Sequence, residues 1–343
     1  MRIHPWRSVA SISALSLAAA LLAGCATADP NAVADGTDSG ASAEEFVLSP
    51  RIVEKVDSGE QLTIVVSAPN TSLAFAAPQR QGVERAAEEL GVDARFIGPS
   101  DGSADGQINE LRTLISQGQV DGIALSAVAN DALKPVIAEA FDAGIPLIAY
   151  STDNPGSKQQ AFIGTDVAAG GALEATELGK VLQGKTGKVV TFSVAPEAAW
   201  SATRFDAFKE ALPEGLEVMD PINTGNEPAQ MFTAVQNAMA ANPDAVAIAS
   251  MDCCSFTAAA KWVDEFAQGE KPVVVGFDAL QQTLDYIDKG VVSFAISQVP
   301  SELTYESVKM LRDYLQNDTP LADTTLDLVL VTKDNVDEIT PEG

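Results

Sequence analysis

From Leu62 onward, short and nearly continuous apolar runs alternate with amphipathic helical patterns, and this alternation constrains the fold more than any other feature. "LTIVVS" is followed by "QRQGVERAAEELG", "DARFIG" by "GQINELRTLISQG", and "VDGIALS" by "NDALKPVIAEAFDAG" before "IPLIAYS" closes the set. Strands without polar alternation are covered on both faces, which calls for a parallel sheet between two layers of helices. Gly91, Gly118 and Gly144 stand where helix C-caps belong. After "AFIGTD" the pattern restarts. Helical stretches 167–183, 201–212, 228–241 and 255–268 precede "KVVTFSV", "LEVMDPI", "DAVAIAS" and "PVVVGFD" in turn. About 280 residues of this pattern exceed the needs of one α/β sheet and suit two.

The two sets also echo each other. "VDGIALSAVANDALKPVIAEAFDAGIPLIAYS" lies against "PDAVAIASMDCCSFTAAAKWVDEFAQGEKPVVVGFD": Asp, an apolar strand ending in Ser, a polar loop, a helix, and a Pro-led strand. The predicted fold is α/β, two Rossmann-like doubly wound lobes with a ligand cleft between them. Open parallel sheets bind ligands at the carboxyl ends of their strands. The expected cleft loops are 67–78, 98–105, 126–131 and 151–155 in one half. In the other they are 194–203, 222–228, 250–255 and 277–281.

The N-terminus reads as an address. Arg2 and Arg7 precede an apolar run from Val9 to Ala23 that is too short for a comfortable membrane span. It ends in "LLAGC", which resembles a bacterial lipobox and makes Cys25 the lipidation site and mature N-terminus; an ordinary secretory leader is the alternative. Residues 25–60 follow as a flexible tether, Ala-, Asp-, Gly- and Ser-rich at first, with a short helix in "EEFVLSPRIVEKV" and the folded body from about Gln61. Loss of Arg2 and Arg7 moves the formal charge from -27 to -29 and loss of His4 removes the one histidine. So acidic a chain repels nucleic acid and anionic lipid, leaving membrane attachment to the acyl anchor.

The chain resembles the type I periplasmic binding proteins of the ribose- and galactose-binding kind, receptors of bacterial ABC importers. The resemblance runs from about Leu62 to Leu330. It rests on "VVSAPN", "GVERAAEELG", "VDGIALS", "IPLIAYSTDNP", "FIGTD", "ATRFDAFKEAL", "VVVGFDA" and "AISQVP", in that order. It implies two lobes joined by three strands crossing near 165, 298 and 325. The first lobe is then 61–165 with 299–324, and the second 166–298 with 325–343. It further implies a monomeric lipid-anchored receptor outside the cytoplasm, which closes on a sugar or polyol and docks on a permease with its ATPase. No cofactor and no metal is implied.

Carried over residue by residue, the resemblance points to Ser67, Asn70 and Phe75 after the first strand and Ser126 after the third. Ser151 and Thr152 stand where ribose-type receptors hold Asp and Arg, and Asp153 takes over the carboxylate. Arg204 keeps its place, while a second arginine is replaced by Ala202. Asn226, Asp252, Asp278 and Gln298 complete the polar set. Such groups suit sugar hydroxyls, which donate and accept together. Phe75 and Trp200 offer flat faces to sugar C–H groups. The bland alternatives are an N-cap for Asp278, an ion pair for Arg204, and a core wall for Trp200 and Phe277.

Cys253 and Cys254 in "SMDCCSF" are adjacent, in an oxidising compartment. Their Cα atoms are about 3.8 Å apart, below the roughly 4.4–6.8 Å of ordinary disulfides. The expectation is a vicinal disulfide facing the ligand. Two reduced thiols behaving as small hydrophobes, or a labile redox pair, are the alternatives. An enzyme reading would use Asp153, Asp252 and Asp278 as in glycoside hydrolysis. Without histidine, nucleophile elbow or phosphate loop, binding without turnover is the better account. A receptor reporting to a membrane sensor is the other alternative.

Overall fold

An unbroken apolar run becomes a strand with no wet face, and β1 (Thr63–Ser67) is buried at all five positions. The computed structural model describes residues 45–339; the leader, Cys25 and the first part of the expected tether lie outside the described residues. In chain order the first lobe holds α1 (Pro50–Asp57), β1, α2 (Ala76–Leu90), β2 (Asp93–Ile97), α3 (Ala104–Ser116), β3 (Gly122–Leu125), α4 (Asn130–Asp142), β4 (Leu147–Tyr150) and β5 (Phe162–Thr165). The chain then enters the second lobe through α5 (Val167–Leu182), β6 (Gly187–Ser193), α6 (Ala199–Ala211), β7 (Leu216–Val218), β8 (Ile222–Asn223) and α7 (Pro228–Ala241). β9 (Ala247–Ser250), α8 (Cys253–Glu265), β10 (Val273–Phe277), α9 (Gln281–Asp288) and β11 (Phe294–Ser297) complete it. α10 (Pro300–Asn317) and β12 (Thr324–Leu326) return to the first lobe, and β13 (Val329–Thr332) ends in the second.

The two sheets share one plan. The first runs β12-β5-β4-β3-β1-β2 and the second β13-β11-β10-β9-β6-β7, with β8 beside β6. Every pairing is parallel except β11 with β13. The internal repeat read in the sequence is thus an internal repeat of strand order. The third crossing falls later than the expected 325: Thr325 and Leu326 still pair with Gly164 and Thr165 of β5, and the chain changes sheets between 326 and 329.

Helices cover both faces of each sheet. In the second lobe α5 and α6 pack on one face through Leu178, Phe205 and Phe208, and α7, α8 and α9 on the other through Val235, Phe256 and Ile287. The helices that enter each lobe at a crossing are held very close to their neighbours. A Cβ on Gly82 of α2 would lie 2.0 Å from the Ser301 carbonyl oxygen of α10, and one on Gly171 of α5 would lie 2.0 Å from that of Arg204 in α6. Only glycine permits either approach. Among the described residues no helix is long and apolar enough to cross a membrane.

The folded body begins before Gln61. The Ser49 N–H donates to the Gly144 carbonyl (2.9 Å), and Ile52 is fully buried in the first-lobe core. Phe46 meets Phe141 edge to face at 5.3 Å between ring centroids. The physical reason lies in Asp121, which is buried at the foot of β3. Its carboxylate accepts from Arg51 Nη1 and Lys55 Nζ, each at 2.6 Å, and from the Thr63 N–H at 2.8 Å. Burial pushes this carboxyl up, but the hydrogen bonds from Lys55, Thr63 and Arg51 together hold it below its ordinary value.

Candidate functional site

The strand C-termini of the two lobes carry a matched pair of backbone features. Ser151 follows β4 with φ 59°, and Asp278 follows β10 with φ 70°. The Ser151 N–H donates to the Ile163 carbonyl (2.9 Å), and the Asp278 N–H to that of Ile296 (2.8 Å). These two positions align in the sequence repeat. A non-glycine residue in this left-handed region costs about 1 kcal/mol or more and is concentrated at functional sites.

In the second lobe the polar groups form one chain. The Ser201 hydroxyl lies 2.8 Å from that of Ser193, tying the first turn of α6 to the end of β6. One turn later Arg204 is 2 % exposed. Its Nη2 donates to Gln298 Oε1 (2.7 Å), its Nη1 donates to the Met251 carbonyl, and Gln298 Nε2 donates to Asp278 Oδ1 (3.0 Å). The guanidinium carbon lies 3.7 Å from the ring centroid of Phe277 and 5.5 Å from that of Trp200, which is half-buried. Burial lowers the Arg204 pKa, while Asp278, Glu174 and Asp252 pull it back. Asp278 is equally buried, which pushes its carboxyl up to about 6 against the pull of Arg204 and Gln298. Asp278 caps no helix: α9 starts after Leu280 and has no side-chain cap.

Asp252 has a different role from the one expected. It is the N-cap of α8: Oδ1 accepts the N–H groups of Cys254 and Ser255 (2.9 Å each), and Oδ2 accepts the Val194 N–H (2.9 Å) and the Ser255 hydroxyl (2.8 Å). Four donors leave little capacity for a ligand. The cysteines it caps are the first residues of α8 rather than a loop, and both are free thiols. Their Sγ atoms are 3.2 Å apart, against about 2.04 Å for a bonded pair. Successive side chains of an α-helix diverge by about 100° around its axis, which works against a vicinal disulfide. The hydrogen bond between the thiols, burial and nearby carboxylates push Cys253 well above its ordinary pKa. A carboxylate oxygen and the two sulfurs lie within 4.8 Å of one another, but the four donors on Asp252 and the protonated Cys253 thiol hold the group as a capped helix start.

The first-lobe residues divide. Ser67 is fully buried, and its hydroxyl accepts from Gln107 Nε2 (3.1 Å). The same nitrogen donates to the carbonyls of Ala68 (3.2 Å) and Ser126 (3.0 Å), while Gln107 Oε1 accepts the Val128 N–H (3.1 Å). Gln107 therefore ties the loops after β1 and β3 together, and Ser67 belongs to that tie. The Ser126 hydroxyl donates to Thr152 Oγ1 (3.5 Å), next to Ser151. Asn70 Oδ1 accepts the Ser72 N–H (2.9 Å) and hydroxyl (2.8 Å), shaping its own loop. Asp153 is exposed and accepts from Gln159 Nε2 (2.6 Å). Asn226 is also exposed and lines a groove with Ser72, Phe232 and Cys254. Phe75 is half-buried and packs across the cleft on the second lobe.

Two residues beside the site escaped the sequence reading. Gln107 shares a buried helix stripe with Leu111. Glu174, fully buried on α5, has no hydrogen-bond partner on either carboxyl oxygen. Burial pushes it well above the ordinary carboxyl range, with Arg204 pulling the other way. Its signal was available: Glu174 occupies the same stripe as Gly170, Gly171 and Leu178, where an apolar residue belongs.

Comparison with known proteins places these features in context. The periplasmic binding protein domain family matches residues 64–319. The xylose/arabinose-binding protein XylF of Sulfolobus acidocaldarius is 25% identical over 264 residues, 73% of this chain; the match spans 65% of that protein's length. The D-allose-binding periplasmic protein of Escherichia coli is 26% identical over 251 residues, 70% of this chain and 80% of that one. Among solved structures, an ABC transporter solute-binding protein from Burkholderia graminis in complex with D-arabinose is 26% identical. It has a TM-score of 0.75 and covers 81% of this chain and 98% of its own. GanP, a glucose-galactose binding protein from Geobacillus stearothermophilus, is 27% identical with a TM-score of 0.70, covering 80% and 99%.

Proposed function

The chain belongs to the periplasmic binding protein family, and on that premise we propose that it is an extracytoplasmic solute-binding lipoprotein which takes a sugar or polyol into the cleft between its lobes. Lobe closure delivers the bound molecule to an ABC permease and its ATPase. The body works as a monomer, fastened to the membrane by acyl chains on Cys25. No catalytic step is part of this reading.

The buried Arg204–Gln298–Asp278 chain carries it. An arginine supplies fixed donors, a carboxylate supplies acceptors, and the amide between them holds both in register. Such a set satisfies neighbouring hydroxyls, each of which donates and accepts. Asp278 keeps its charge at neutral pH and stands on a constrained turn at the end of β10. Trp200, beside the guanidinium, suits the C–H face of a sugar. Ser126, Ser151 and Thr152 supply neutral groups from the facing lobe in place of the Asp and Arg of ribose-type receptors. Pentoses other than ribose, hexoses and small polyols are therefore preferred to ribose.

A melting screen of the full chain with D-arabinose, D-xylose, D-allose, D-ribose, D-galactose, erythritol and inositol tests the reading. A true ligand at a hundred times its Kd adds about 2.7 kcal/mol and raises the Tm by several degrees. Arg204→Met should abolish the shift. A panel that leaves the Tm unmoved at millimolar concentrations would remove the sugar and polyol assignment.

A further inference from the structure

One apolar cluster is built from both lobes. Met231, Cys253, Cys254 and Leu280 come from the second lobe, and Leu73 and Phe75 of the loop after β1 pack against them from the first. The placement is deliberate on the first-lobe side. Asn70 folds the loop back through Ser72 (2.9 and 2.8 Å), and the Thr71 N–H donates to the Pro99 carbonyl (2.9 Å). The loop is thus braced against its own lobe, yet neither Leu73 nor Phe75 is part of that lobe's core. Their apolar surface is spent on the other lobe.

On the second-lobe side, two thiols at the start of a helix facing the cleft are only 3 % and 8 % exposed. Asp252 holds that start rigid with four accepted hydrogen bonds. The two thiols share a hydrogen bond with each other. In this setting a thiol acts as a small, polarizable hydrophobe. A hydroxyl in its place would have only the neighbouring thiol as a weak partner in apolar surroundings.

We propose that Leu73 and Phe75 on one lobe, seated on Cys253, Cys254, Met231 and Leu280 of the other, form the latch that holds the lobes closed, and that the two cysteines serve as the latch's apolar seat. The inference rests on the reading of the two lobes as a closing receptor. Ligand is held by the polar chain around Arg204, and the latch sets how long the closed form lasts. A receptor whose closed form is less populated binds in proportion more weakly. The weakening falls on the dissociation rate, because the latch must open before ligand can leave.

Two experiments on the full chain decide it. In the first, Leu73→Cys is oxidised with diamide and mapped by mass spectrometry. A disulfide joining position 73 to Cys253 or Cys254 is expected. Absence of any such crosslink overturns the latch, and this result needs no ligand. In the second, Leu73→Ala/Phe75→Ala and Cys254→Ser are compared with the parent by stopped flow, using whichever panel sugar shifts the parent Tm. Dissociation should be at least tenfold faster in each variant, with association nearly unchanged. Leu73→Ala alone should show the same direction with a smaller disturbance. Unchanged dissociation rates overturn the latch. If no panel sugar shifts the parent Tm, the sugar reading fails while the crosslink still decides whether the two surfaces meet.

Discussion

Replacing Asp278 by Asn tests whether the carboxyl at the end of the polar chain is held against its own preference. The side chain is almost fully buried, and burial raises its pKa from 3.8 to about 6. An acid with a higher pKa in the folded state holds its proton more tightly there. Its protonation therefore favours folding below the unfolded value of 3.8, and that contribution is lost as pH rises through about 6. At about 1.4 kcal/mol per pH unit, the ionised carboxylate costs the ligand-free protein about 3 kcal/mol at pH 7 relative to the neutral acid. Asn has nearly the same shape, keeps an oxygen for Gln298 Nε2, and tolerates φ 70° better than most residues. The assay is urea unfolding of both proteins at half-unit steps from pH 4 to 8, without ligand. Parent stability minus variant stability should fall by about 2.5 kcal/mol between pH 4 and pH 7 and stay nearly level above. Parallel curves over that range would refute the argument, because a solvated Asp278 contributes no difference there.

Gly171→Ala would push a Cβ to 2.0 Å from the Arg204 carbonyl oxygen, so α5 and α6 must part; a loss of about 2–3 kcal/mol by denaturant unfolding is expected, together with weakened ligand binding. Deleting residues 46–58 would strip Arg51 and Lys55 from the buried Asp121, and a drop of about 3–5 kcal/mol should appear as a lower Tm of the first lobe. With α1 in place, the depressed Asp121 pKa gives stability that is present above about pH 4 and lost as pH falls through the lower folded value; the deletion should remove that acid limb from the pH–stability profile. Trp200 lies beside Arg204 whereas Trp262, on α8, packs against the second-lobe core, so Trp200→Phe should abolish a ligand-induced change in tryptophan emission that Trp262→Phe preserves.

The strand and helix alternation was legible because each element carries its own local signal: an apolar run, a periodic stripe, a glycine stop. The common strand order followed from the repeat between the halves. What the sequence concealed depends on partners distant in the chain. Asp121 needs cations 66 and 70 residues away, so α1 looked like part of a tether. The Ser67 hydroxyl is claimed by Gln107, 40 residues on, and a polar residue at a strand end looks the same whether it faces a ligand or its own lobe. Asp252 was misread for a different reason. Asp at the start of a helix is an N-cap signal, but the cysteines after it drew the boundary of α8 too late. Arg204, Gln298 and Asp278 were named separately, and only the fold joins them into a chain.

The attachment of α1 also has a mechanical side. Residues 46–57 run beneath the first sheet, past Gly144 before β4, Asp121 before β3 and Thr63 at the start of β1. This is the pole opposite the strand ends that carry the site. Were the proposed anchor on Cys25 to carry the body, its pull would be taken up by the ion-paired base of the first lobe, at the far end from the strand termini that carry the site.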